Sequence, residues 1–282
     1  MTSTPPKRLL ILEGNTAARR ARSRSLGARW ASEVYSDAIL AHFPTVEIDV
    51  IYGADPGVAL PRGLSMDAYD GLVVGGSSLH AYDKDPSVTN QIDLMRQFGE
   101  TGKPVLGSCW GLQIAAMAAG GSVTPSPNGQ EVLFARKLRL TEAGLAHPFL
   151  KGRVSGYDAP CIHYDEVSSL PAGTTVLCHN AHSPIQAAII PLGKSEVWAV
   201  QYHPEFDLAH LNQLIDLYGA SFMEDGFFSD ADDLAAYRVK LLHLQANPDC
   251  HSTRWSLAID TDILDDTTRR LEIINWMENC VI

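Results

Sequence analysis

Cys109 stands at the centre of Gly107-Ser-Cys-Trp-Gly111, after the apolar residues 104–106 and before residues 112–119, a run of small and apolar residues with helical character. Two glycines flanking a nucleophile at this spacing, between a strand and a helix, form a nucleophile elbow with a thiol in the hydroxyl's place. The turn is so tight that a side chain at either glycine would strike the backbone. The elbow lifts the thiol clear of the sheet at a helix N-terminus, where the dipole favours thiolate over thiol. Ser108 is off-centre and is not the group this pattern presents. A thiol needs a base, and the base needs a group to orient it. Both stand in His203-Pro204-Glu205, at the end of the strand-like residues 197–202. The imidazole can reach across to the elbow, the carboxylate two positions on can hold one ring nitrogen, and Pro204 stiffens the spacing. Nucleophile, then histidine, then acid is a chain order unlike the α/β hydrolases, in which the acid precedes the histidine.

The stretches Gly-Ser-Cys-Trp-Gly-Leu-Gln at 107–113 and Gln-Tyr-His-Pro-Glu-Phe at 201–206 resemble the class I glutamine amidotransferase family. The glutaminase domain of GMP synthase and its free-standing relatives are the nearest likeness, over roughly residues 8–210. The resemblance implies that Cys109, His203 and Glu205 form a triad, that Cys109 attacks the side-chain carboxamide of glutamine to release ammonia, and that a glutamyl thioester is then hydrolysed. It also implies oxyanion donors at the Gly75-Gly76-Ser77 turn and at the backbone N–H of Trp110, and a substrate-holding role for Gln113. The segment Cys161-Ile-His163-Tyr-Asp165 resembles the family's pocket lining, which assigns His163 and Asp165 to the glutamine site. Packing on a helix face is the rival reading for Gln113. A phosphate loop is the rival for Val-Val-Gly-Gly-Ser-Ser, and the G-x-G-x-x-G spacing it needs is missing. His163, Asp165, His179, His182, His203 and Glu205 show no tight ligand spacing, so no metal and no cofactor is expected.

These groups need a frame. Residues 8–12, 46–52, 70–74 and 104–106 read as strands, and residues 30–43 and 89–99 as helices, an alternation that calls for a parallel sheet covered on both faces. Gly76, Cys109 and His203 each follow a strand directly, at the carboxyl edge where such sheets gather functional groups. From Glu131 the texture turns strand-rich, with runs at 132–140, 175–179, 185–190 and 197–202. Beyond Asp207 it turns helical, at 208–223, 231–244 and 263–277. The expected fold is therefore α/β, with a mostly parallel central sheet flanked by helices, a catalytic domain over residues 1–220 and a helical C-terminal extension over 221–282.

Composition narrows the partners. With a formal charge of −11 the average surface repels nucleic acid and anionic membranes, and no apolar run approaches a membrane span. The N-terminal residues 1–7 are polar and lead straight into the first strand-like run, so a cytoplasmic protein is expected. Five scattered cysteines without a CxxC pair give no disulfide framework. The residues after 210 carry no ATP-binding fingerprint, so ammonia would pass to a separate synthetase or acceptor enzyme. The alternatives are a stand-alone hydrolase of γ-glutamyl amides or peptides, and a non-catalytic interaction protein of the same fold. Residues 17–29 hold five arginines in an otherwise acidic chain, read as a solvated basic loop or helix start, or as a contact for an anionic substrate group or partner.

Overall fold

The computed structural model describes residues 5–282, so the first four residues of the expected polar lead-in lie outside it. The chain opens β1 (Arg8–Glu13), α1 (Ala17–Ser25), α2 (Ala31–Leu40), β2 (Glu47–Tyr52), β3 (Gly71–Val74), α3 (Pro86–Gly99), β4 (Val105–Ser108) and α4 (Trp110–Ala118). It continues β5 (Ser122–Pro125), β6 (Glu131–Leu140), α5 (Glu142–Ala146), β7 (Tyr157–His163), β8 (Asp165–Ser169), β9 (Thr175–His179), β10 (Ala187–Leu192) and β11 (Ser195–Val200). The helices α6 (Leu208–Glu224), α7 (Ala231–Ala246), α8 (His251–Leu257), α9 (Thr261–Leu264), α10 (Asp266–Arg269) and α11 (Leu271–Trp276) complete it.

Nine strands form one sheet in the order β2-β1-β3-β4-β11-β10-β9-β6-β7. From β2 to β11 every pairing is parallel, and from β11 outward every pairing is antiparallel. The change follows from the connections. Leu192 pairs with Ser195 across the two-residue turn at Gly193, whose φ of 60° suits glycine, and so short a link can join only antiparallel strands. β3 and β4 are buried along their whole length, which is why they read as unbroken apolar runs. In β1 the side chains alternate. Leu9 and Ile11 join a core with Tyr35 and Ile39 of α2, while Leu10 and Leu12 join the opposite core with Ile92 and Met95 of α3 and Leu112 of α4. β1 is flanked by β2 on one side and β3 on the other, so the strand order reverses there and opens a crevice at the carboxyl ends.

The C-terminal residues are helical and serve two places. Leu211 and Leu214 of α6, Leu241 and Leu244 of α7 and Leu257 of α8 form a third apolar cluster with Leu133 and Phe134 of β6. α11 instead enters the core beneath β1, where Trp276 lies so close to Gly71 that a Cβ there would sit 2.9 Å from its ring. Arg153 anchors it through a buried ion pair with Glu272, at 2.8 Å and 2.7 Å, and Tyr202 donates to the same carboxylate at 2.7 Å. The helix expected over 263–277 is broken into three, at Asp265, which turns out of helical geometry to cap α10 by accepting from the Thr268 N–H, and at Arg270, whose φ of −97° and ψ of 16° leave the helical values. Of the two readings of the basic stretch, loop or helix start, the second holds over α1, which is capped by the Thr16 hydroxyl and carries no apolar stripe. No helix among the described residues is long and apolar enough to cross a membrane.

Candidate active site

Cys109 adopts φ 51° and ψ −97°, a conformation that non-glycine residues seldom take and that sharp elbows impose. The flanking glycines are required by contact. A Cβ on Gly107 would lie 2.8 Å from the Gly111 carbonyl carbon, and one on Gly111 would run into the Val74 carbonyl oxygen. The Cys109 N–H donates to the Val200 carbonyl at 2.8 Å, so β4 and β11, parallel neighbours, deliver Cys109 and His203 to one spot. The His203 N–H is fixed in turn by the Pro160 carbonyl at 2.7 Å.

His203 is 3 % exposed, and its Nδ1 meets Glu205 Oε1 at 2.7 Å. Ser108, the off-centre elbow residue, donates its hydroxyl to the same carboxylate oxygen at 3.1 Å. The ring lies flat on Phe206, with centroids 3.9 Å apart and planes 4° off parallel. Its Cε1 edge allows no side chain at Gly76, where a Cβ would stand 2.7 Å from Cε1. Burial alone would discharge this imidazole, but the Glu205 carboxylate and the neighbouring Cys109 outweigh it and raise its pKa to about 10.

The turn at Gly76 and Ser77 is held by side chains that carry no motif. Ser77 donates to the Gly14 carbonyl at 3.0 Å, while Asn15 Oδ1 accepts from both the N–H and the hydroxyl of Ser78 at 3.1 Å. Glu13 fixes Asn15 through two bonds of 3.1 Å and reaches the Ser32 N–H at 2.9 Å. Gln91 accepts from the Trp110 indole at 2.8 Å and donates to Gly14 at 3.1 Å, clamping the start of α4 against the same turn. The Trp110 backbone N–H belongs to the first turn of α4 and has no intrahelical acceptor.

A cavity of about 470 Å³ takes in Gly76, Ser77, Cys109, Gln113, His163, Asp165 and His203; Glu205 and Trp110 lie behind it. Three of these expected lining residues also spend polar atoms on other groups of the protein. Gln113 donates its amide to the Asp165 carbonyl at 2.9 Å, and Asp165 accepts from Tyr82 at 3.3 Å and meets His80 Nδ1 at 2.6 Å. His163 uses both ring nitrogens, one on the Asp165 carbonyl at 2.9 Å and one on Glu131 Oε2 at 3.0 Å. Glu131 also accepts from Asn180 and Gln186, each at 2.7 Å. Glu131, Cys161 and His163 bring potential metal-ligand atoms within 4.8 Å of one another, but hydrogen bonds within the protein already engage each of them. His179 does not border the cavity, and His182 packs edge-on against His163. Sequence reasoning missed Asn15, Gln91 and Glu131. Only the Asn-Thr pair after β1 carried a local turn signal.

Comparison with known proteins identifies the family. The family model described as Glutamine amidotransferase class-I matches residues 47–215. A "Gamma-glutamyl-L-1-hydroxyisopropylamide hydrolase" of Pseudomonas sp is 33% identical to this chain, covering 98% of it and 93% of the relative. A "GMP synthase [glutamine-hydrolyzing]" of Thermomicrobium roseum is 27% identical over 51% of this chain and 25% of its own. Among solved structures, a glutamine amidotransferase of Thermotoga maritima superposes with a TM-score of 0.65 at 18% identity, over 94% of this chain and 98% of its own, a likeness of fold. The chain belongs to the class-I glutamine amidotransferase family of cysteine-dependent amide hydrolases.

Proposed function

We propose that the protein hydrolyses N-substituted γ-glutamyl amides, using Cys109 as nucleophile, His203 as acid and base, and Glu205 to orient the imidazole. The observation that carries this reading is the extent of the cavity. It runs past Cys109 and His203 to Arg19 and Ser23 of α1, to Trp30, and to Leu214, Leu217 and Tyr218 of α6. That wall mixes apolar surface with a few polar groups, as small-molecule sites do, and gives room to an amine larger than ammonia. The Pseudomonas relative, named for hydrolysis of such an amide and matched over nearly its whole length, supports the same choice over ammonia delivery to a synthetase.

In this mechanism the Cys109 thiolate attacks the γ-carbonyl carbon, and the carbonyl electrons move to oxygen. The backbone N–H groups of Gly76 and Trp110 face that charge as it develops. Collapse breaks the C–N bond, the amine leaves with a proton from His203 Nε2, and a glutamyl thioester remains on Cys109. Water then gives a proton back to His203 as it attacks the thioester, and glutamate departs with regeneration of the thiolate. The raised pKa of His203 suits it to hold the proton that the leaving amine takes.

The test is a panel of substrates for the purified protein: glutamine, γ-glutamyl-isopropylamide, γ-glutamyl-alaninol and γ-glutamyl-alanine, with amine and glutamate measured separately. The substituted amides should exceed glutamine in kcat/KM, because their extra atoms contact the α1 and α6 wall in the transition state. Preference for glutamine over all three would return the reading to ammonia release.

A further inference from the structure

Gln130 is 2 % exposed, and neither atom of its side-chain amide, Oε1 or Nε2, has a hydrogen-bond partner. Several other buried polar atoms in the protein lack partners, but among the described residues Gln130 is the one that also borders the reactive cavity. A buried amide with four unmet hydrogen-bonding positions costs free energy unless something fills them. In a cavity, a ligand that brings both a donor and an acceptor can fill them. The contrast with Gln113 sharpens the point, because that motif glutamine has already committed its amide nitrogen to the Asp165 carbonyl.

We propose that Gln130 is a specificity-determining residue that reads the amino-acid head of the glutamyl group. The inference rests on the γ-glutamyl reading above and assigns one end of that substrate. His203 must protonate the departing amine, so the amine lies on the side of His203, Phe206 and α6. The acyl chain extends the other way, along the segment from Ile162, whose carbonyl is 3.8 Å from Cys109 Sγ, to Asp165. Gln130 stands beside that segment, since it immediately precedes β6, whose first residue Glu131 pairs with His163 of β7. The head group carries an ammonium and a carboxylate on one carbon. A carboxamide carries the complement, with an oxygen to accept from the ammonium and an NH₂ to donate to the carboxylate. The Asp165 carboxylate is occupied by His80 and Tyr82.

The experiment is the rate at which Cys109 is alkylated by L-6-diazo-5-oxonorleucine, a glutamine-shaped diazo-ketone, compared with iodoacetamide, which has no head group. In wild type the diazo-ketone should react far faster than its des-amino analogue. In Gln130→Leu its rate should fall roughly 10- to 100-fold, the loss of hydrogen bonds to charged groups, while the iodoacetamide rate holds. Gln130→Glu should lose the diazo-ketone rate as well, because it sets a second carboxylate against the first. Equal diazo-ketone rates in wild type and Gln130→Leu would overturn the assignment and leave the γ-glutamyl reading standing. A wild type that shows no preference for the diazo-ketone over its des-amino analogue would instead overturn the γ-glutamyl reading itself. A parallel fall in both reagents would show a collapsed elbow and would also overturn the specific role.

Discussion

Two buried histidine–glutamate pairs meet the same cavity through their imidazoles, His203 with Glu205 at 2.7 Å and His163 with Glu131 at 3.0 Å. They differ in what each leaves over. His203 spends only Nδ1 on protein, so Nε2 is free for Cys109 and a substrate. His163 spends both nitrogens, and since a carbonyl can only accept, Nδ1 must donate to Asp165. Glu205 takes a hydroxyl besides its histidine, whereas Glu131 takes two further amide N–H groups. A group that must gain and lose a proton in every turnover needs an uncommitted nitrogen. In the proposed mechanism the same two residue types thus make a reactive pair in one place and a fixed strut between β6 and β7 in the other.

The two pairs also respond to opposite ends of the pH range. The raised pKa of His203 means that its contribution to stability is whole below its ordinary value near 6.5 and is lost as pH climbs through about 10. Burial works against ionisation of Glu131, yet the bonds from His163, Asn180 and Gln186 outweigh it and hold the carboxyl below its ordinary value of 4.5. Its contribution is therefore present above 4.5 and is lost as pH falls through the lower folded value.

His203→Gln should have the largest effect, lowering kcat/KM for a γ-glutamyl amide roughly 10²- to 10⁴-fold, the usual worth of a positioned acid and base. Melting curves should show its stability gap to wild type closing above pH 10. A loss under tenfold would make His203 no more than a strut, and the contrast between the pairs would fail. Glu205→Gln should cost less, roughly 10- to 100-fold in single-turnover rate, as the imidazole remains but loses a charged hydrogen bond. A greater loss than in His203→Gln would reverse the two roles. Glu131→Gln should cost the least in rate, within about tenfold, but about 3 kcal/mol or more in urea unfolding, because it removes the buried carboxylate that His163, Asn180 and Gln186 share and sets amide N–H groups against each other. That stability gap should narrow towards pH 4, and a variant as stable as wild type but inactive would make Glu131 part of the chemistry.

Legibility in the sequence divided along the same line. Cys109 between its glycines, and His203 two residues before Glu205, are written in short stretches, so their types and spacing could be read directly. Glu131 and His163 lie 32 residues apart and meet only through the β6–β7 register, and Gln130 is marked only by what it fails to touch. The alternating strands and helices up to β4 revealed the α/β fold. The antiparallel half was less plain, because β7 and β8 are polar at their shared end, where His163 and Asp165 face the cavity. α1 was legible only as a loop or a helix start, because three arginines in and beside it are matched not by an apolar face but by carboxylates elsewhere, Arg20 with Asp55, Arg24 with Glu33 and Arg29 with Asp37.

The central claim is that Cys109 carries the glutamyl group, and rapid quench of wild-type protein with γ-glutamyl-isopropylamide, followed by mass spectrometry of the peptide around Cys109, tests it most directly. The account predicts a glutamyl adduct on that peptide that forms before glutamate reaches its steady rate, and neither adduct nor turnover in a folded Cys109→Ala. Steady glutamate release without the adduct, or turnover in Cys109→Ala near that of wild type, would contradict it.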